Sequence, residues 1–226
     1  MAFAETSLPA VGNRLLRETV YEQLRAEMIS CKLAPGTEIR EAELAARFDM
    51  SKSPVRDALM RLEREGLVIT SPRQGYRVAP VSLSDVLDMF HLRAALERAC
   101  VERIVIHASD EQLAGLDEFR IFDSSVWVGG FIAYNRSFHR RLATLGGNAR
   151  MRDQLIELID LMERAVHMSV STAHKGDPQS LVNEHVALID ALQARGLKKA
   201  QRLCEQHIID AGKRVSTAIS KSLIAG

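Results

Sequence analysis

The run MSKSPVRDALMRLEREGLV, residues 50–68, decides how the N-terminal part of this chain folds. Ser53 is a good helix N-cap, and Pro54 suits the first helical position, where its missing N–H costs nothing. Val55, Ala58, Leu59 and Leu62 then share one side of a helix, leaving Arg56, Asp57, Met60, Arg61 and Arg64 on or near the open side. Gly66 stands where a left-handed C-terminal cap belongs. Working outward, EAELAARF (41–48) is a short helix joined to this one by the tight turn DMSKS. Before it, the turn CKLAPGTEIR follows a helix over 17–30 with Val20, Tyr21, Leu24 and Met28 inward. After it, LVITSPRQGYRVAPV reads as two short β segments around a turn near Pro72–Gly75. Helix, helix, turn, helix and hairpin in that order make a winged helix-turn-helix over residues 17–78.

A helix that opens with hydroxyls and an arginine in its first turn is suited to phosphates and base edges. Arg56 is the candidate base reader, because its guanidinium fork matches guanine O6 and N7. Ser51, Lys52 and Ser53 are candidate phosphate contacts, which set register without reading sequence. Arg61 and, in the turn of the hairpin, Arg73 are further candidate DNA contacts. Single surface cations usually do no more than solvate a helix. Here cap, spacing, preceding short helix and trailing hairpin all agree, which favours DNA.

Bulk charge contributes nothing to that reading. The chain of 226 residues carries a net charge of +1, so no global field favours nucleic acid or membrane. Residues 14–77 hold twelve Lys/Arg against ten Asp/Glu, and 78–226 hold eighteen of each, so DNA binding must come from placed cations. Cys31, Cys100 and Cys204 are scattered and odd in number, a pattern that suits buried thiols in a reducing cytosol. No segment approaches the roughly 18–20 uninterrupted apolar residues of a membrane span. A soluble, cytoplasmic protein is expected.

Residues 1–16 are expected to form a flexible N-terminal segment, and APVSLS (79–84) a linker. Beyond it the apolar period is helical, predicting helices near 84–106, 109–121, 126–145, 149–172, 179–195 and 197–221. Ser109 and Gln112 have the spacing of a capping box. DSSVWVGG (123–130) is a poor helix, with two glycines among β-branched residues. The expected fold is therefore mostly α: a winged helix-turn-helix followed by an all-α antiparallel bundle over 85–222.

Within that bundle, YNRSFHRRL (134–142) places Asn135 and His139 one helical turn apart. His139 shares a face with Ile132, Leu142 and Ala143, and His185 one with Leu181, Leu188, Ile189 and Leu192. His207 is flanked by Leu203, Cys204 and Ala211. Three imidazoles thus point inward from three helices. They are either hydrogen-bonded core residues or ligands to a divalent metal, and spacing alone leaves both open. His107 and His174 read as surface residues. Arg93, one turn before Glu97, has the spacing of an i,i+4 surface pair.

The stretch PGTEIREAELAARFDMSKSPVRDALMRLEREGLV, followed by PRQGYRV, resembles the DNA-binding domain of GntR-type bacterial transcription regulators. That resemblance implies phosphate contacts from Ser51 and Ser53, and an approach to bases and minor groove by Arg56 and Gly75. Lys52 stands where relatives commonly carry arginine, so charge is kept but the bidentate fork is lost. The C-terminal half is similar to the all-helical FCD-type ligand-binding domain of the FadR-like branch, of the metal-containing kind. Asn135-Arg-Ser-Phe-His139, Glu184-His185 and His207 follow that branch's order of ligands, with Asn135 in place of an aspartate. The resemblance implies a Zn²⁺ or Ni²⁺ ion held by Asn135, His139, His185 and His207, and a small carboxylate effector met by Arg93. It also implies a homodimer on a palindromic operator. An amide brings no negative charge, so such a site would be weaker and more cationic than one with aspartate.

The leading expectation is a ligand-responsive transcription regulator, with a repressor ahead of an activator. The alternative is a metal-dependent hydrolase fused to a DNA-binding module. Against it, no general base is evident beside the histidines, since Glu184 is expected to point elsewhere on its helix, and HExxH, GxSxG and a phosphate loop are all missing. A structural nucleoid protein would need a far more basic chain.

Overall fold

The computed structural model describes residues 10–72, 75–172 and 178–225, and the chain divides into two compact units between Pro80 and Val81. Arg73, His174 and residues 1–9 of the N-terminal segment lie outside the described residues. The first unit contains α1 (Ala10–Ile29), β1 (Glu38–Ile39), α2 (Glu41–Arg47), α3 (Lys52–Arg64), β2 (Val68–Ser71) and β3 (Gly75–Val78). The second contains α4 (Leu83–His107), α5 (Asp110–Ala114), a 3-10 segment (Gly115–Phe119), α6 (Gly130–Leu145), α7 (Ala149–Thr172), α8 (Pro178–Gln193) and α9 (Leu197–Ala225). The architecture is a winged helix-turn-helix and a helical domain.

The first unit is held by apolar side chains at helical spacing. Val20, Leu24 and Met28 of α1 meet Val55, Leu59 and Leu62 of α3, and Val68 and Val78 of the hairpin close the core. Gly66 ends α3 in a Schellman motif: Leu67 N donates to Leu62 O and Gly66 N to Glu63 O, each at 2.9 Å. The N-terminus of α3 differs from the sequence reading. Ser51, not Ser53, is the N-cap, and its hydroxyl makes no capping bond. Pro54 lies two residues further in, which is tolerated because none of the first four N–H groups of a helix has an intrahelical partner.

Three antiparallel strands form the wing sheet in the order β1-β3-β2. The first of them was read as part of a turn; two residues are too few to show alternation. Its backbone presses on the hairpin. A Cβ on Gly75 would lie 2.8 Å from Ile39 O, and Gly75 has φ +97°, a conformation L side chains rarely adopt. The glycine is thus required by the sheet itself. α1 also begins earlier than expected, at Ala10 rather than 17.

In the second unit the linker is shorter than expected, because Ser82 caps α4 by accepting from Asp85 N. The capping box at Ser109 and Gln112 is complete, but the helix it opens stops at Ala114 and tightens into the 3-10 segment instead of running to 121. Residues 123–129 form turns, with Ser125 N donating to Asp123 Oδ1, and α6 starts only after Gly129 in the left-handed region. Here too the expected start at 126 is corrected. Trp127 packs on Phe119 and Tyr134, so this segment is fastened to the core by aromatics. α9 packs closely on α4 where Gly212 meets Phe90; a Cβ there would lie 3.0 Å from the ring.

Gly75→Ala is expected to destabilise the winged unit by about 1–3 kcal/mol, because strain and the clash with Ile39 O act together. Urea unfolding of the variant beside the parent protein measures it.

Candidate nucleic-acid interface and candidate metal centre

Ser51, Lys52, Ser53 and Arg56 are all exposed at the N-terminal end of α3. The first turn of the helix carries no acidic residue. A cation there opposes the helix dipole, an arrangement that gains only when an anion arrives. Arg56 is held in place by α2: Nε donates to Glu41 Oε1 at 2.9 Å and Nη2 to Glu41 Oε2 at 2.7 Å. The hydrogen bond and charge of Arg56 keep the Glu41 carboxyl below its usual range. That pairing occupies one edge of the guanidinium and leaves Nη1 and the second Nη2 hydrogen on the other.

Arg61 is also exposed on α3. Five residues beyond Arg56, it lies about 140° further round the helix, toward α1. There its guanidinium sits 3.5 Å from the centroid of the Tyr21 ring, and Nη1 donates to both Glu18 oxygens at 3.0 Å. These contacts hold the side chain while leaving it exposed.

In the second unit, α6, α8 and α9 bring His139, His185 and His207 together, all buried, with one ligand atom of each lying within 4.8 Å of the others. His139 Nε2 and His207 Nε2 are 3.2 Å apart. The far side of each ring is engaged. His139 Nδ1 lies 2.8 Å from Glu97 Oε2, and His207 Nδ1 2.5 Å from Glu184 Oε2. A carboxylate only accepts, so both protons sit on Nδ1. His185 Nδ1 is 3.2 Å from Tyr134 Oη, whose own proton goes to Phe119 O at 2.6 Å; His185 therefore donates from Nδ1 as well. Three Nε2 lone pairs are left facing inward, and His185 Nε2 is buried with no protein partner. Burial foremost pushes His139 down to about 4 and His185 well below its ordinary value, so both lone pairs persist at neutral pH.

Two facing imidazole lone pairs repel unless a cation lies between them. The donor set fits a divalent transition metal, with the carboxylate and phenol partners orienting each ring. Cys204 is nearby, donating to Glu97 Oε2 at 3.8 Å, but burial and then Glu97 push its thiol well up, so it stays protonated. Asn135 lines the same cavity as His139 and His207.

Sequence reasoning assigned the partners of this site incompletely. Glu184 does not point away, as expected, but reaches the edge of His207 on the neighbouring helix. Glu97 is fully buried, and Tyr134 was not singled out; both contacts cross between helices and leave no local sequence signal. Arg93 is 4% exposed, which overturns the reading of a surface pair. Its Nε donates to Glu97 Oε1 at 2.7 Å, Nη2 is buried without a protein acceptor, and the residue belongs to the lining of the cavity. Burial alone would raise the Glu97 carboxyl; His139 and Arg93 outweigh it and hold it at about 2.

Residues 88–210 match the FCD domain and residues 16–78 the family described as bacterial regulatory proteins, gntR family. The chain belongs to the gntR family of bacterial transcription regulators, with an FCD domain as its C-terminal part. It is 27% identical over 204 residues to the HTH-type transcriptional repressor RspR of Escherichia coli K12, covering 88% of this chain and 89% of that one. It is 26% identical over 200 residues to the repressor GlaR of the same organism, covering 84% and 90%. In fold it is similar to E. coli McbR/YncC, with TM-score 0.71, 20% identity and coverage of 92% and 98%. Such proteins are regulators that bind DNA, not enzymes, and the hydrolase reading finds no support among them. No helix among the described residues is long and apolar enough to cross a membrane.

Glu97→Ala is expected to cost roughly 3–5 kcal/mol of stability, because it strands a buried guanidinium. Chemical denaturation followed by far-UV circular dichroism checks it.

Proposed function

We propose that this protein is a repressor whose helical domain senses a small carboxylate through a Zn²⁺ or Ni²⁺ ion. The observation that carries the reading is the set of three inward Nε2 lone pairs, each fixed by a hydrogen bond on the opposite side of its ring. His139, His185 and His207 would hold the metal, with the Asn135 amide oxygen as a fourth, uncharged ligand. Such a centre would supply positive charge and an open position for an acid, with Arg93 of the cavity lining beside it. Effector binding then acts by favouring one placement of the DNA-binding units over another.

In the first unit, Ser51, Lys52 and Ser53 take phosphates and Arg56 reads a base, with Arg61, Arg73 and Gly75 as further DNA contacts. A homodimer sets two recognition helices on a palindromic operator.

Metal analysis tests the sensor reading. Protein purified without added metal is expected to carry close to one ion per chain, and His139→Ala to carry little; equal occupancy in both sinks the assignment. Tyr134→Phe, which removes the acceptor for His185 Nδ1–H, is expected to weaken metal binding about 10–100-fold in a chelator competition. For DNA, Arg56→Ala is expected to weaken operator binding roughly tenfold or more and to relax sequence preference. A uniform loss across all sequences in a binding-site selection would make Arg56 a phosphate contact instead.

A further inference from the structure

The cavity beside the histidines has a volume of about 400 Å³ and a wall that is apolar over most of its area. Phe90 of α4, Phe131 and Ile132 of α6, Val166 of α7 and Val215 of α9 form it. Polar groups in the wall are few, and most are engaged. Ser169 Oγ donates to Val166 O at 2.9 Å, and Arg214 Nη1 lies 3.4 Å from Glu184 Oε1. His139 and His207 are committed to their glutamates through Nδ1, and their Nε2 atoms are the proposed metal ligands. The lining also holds Arg93, whose Nη2 is buried without a protein acceptor, and Asn135.

Such a wall discriminates between acids by what lies behind the carboxylate. Each hydroxyl of a polyhydroxylated acid would be stripped of water and set against Phe, Ile or Val with no partner, the most costly way to bury a polar group. A second carboxylate would meet an arginine already paired with Glu184. A hydrocarbon body loses nothing on entry and gains the contact area of the wall.

Resting on the sensor reading above, we infer that the effector is a monocarboxylic acid with a hydrophobic body, and neither a sugar acid nor a dicarboxylate. The carboxylate lies at the histidine side, toward Arg93 and Asn135, and the body lies along Phe90, Ile132, Val166 and Val215.

Calorimetric titration of the full-length, zinc-supplemented protein with benzoate, gluconate and succinate tests this, with metal content measured on the same samples. Benzoate is expected to bind at least tenfold more tightly than either of the others. Val166→Thr, which adds a hydroxyl at nearly constant volume, is expected to weaken benzoate several-fold with metal content unchanged. Gluconate or succinate binding as tightly as benzoate overturns the inference. So does a metal-loaded protein that binds none of the three, while leaving the metal assignment intact. Metal-free protein that still prefers benzoate supports the inference and removes the metal from the sensor reading instead.

Discussion

Glu97 is wholly buried, and the arrangement of the helical domain around its carboxylate follows from that burial. A carboxylate in a protein core must be matched on both oxygens or it is expelled. Arg93 takes Oε1 and His139 takes Oε2, which fixes two further buried side chains at once. Committing His139 Nδ1 to Glu97 turns its Nε2 inward, where it meets Nε2 of His207. Committing one edge of Arg93 to Glu97 holds the rest of its guanidinium beside the cavity. One ion pair thus sets both the proposed ligand atom and the proposed effector donor.

The same device recurs at the other rings, by different chemistry. Glu184 orients His207 from the neighbouring helix, and Tyr134, itself anchored to Phe119 O, orients His185. Each imidazole is held from its far side, so the three lone pairs converge without relying on the metal to gather them. In the winged unit Glu41 plays a comparable part by gripping one edge of Arg56 and presenting the other. Preorganisation of this sort reduces the ordering cost when a ligand arrives. It also explains how a chain of net charge +1 belongs to a DNA-binding family: its cations are positioned rather than numerous.

Much of the fold was legible because it is written in local spacing. The apolar stripe of residues 55–62, the Gly66 cap and the Ser109–Gln112 capping box depend on near neighbours only, and each has its counterpart in the structure. The inward faces of His139, His185 and His207 followed from helical period in the same way. What was not legible depends on contacts between distant segments. The strand Glu38–Ile39 exists because β3 pairs with it, not because two residues prefer to be extended. Glu184 was expected to face away because only its own helix was considered; α9 lies beside it and brings His207 within reach. Arg93 looked like a surface pair since i,i+4 spacing carries no information about burial. The apolar cavity is assembled from five helices, and no single segment announces it.

The central claim is that the three histidines were built to share one ion through Nε2. X-ray absorption spectroscopy at the zinc edge of the metal-loaded protein addresses it directly, since imidazole and sulfur ligands scatter differently. The account predicts three imidazoles, with oxygen completing the shell and no sulfur. A sulfur scatterer from Cys204, or fewer than three imidazoles, would contradict it.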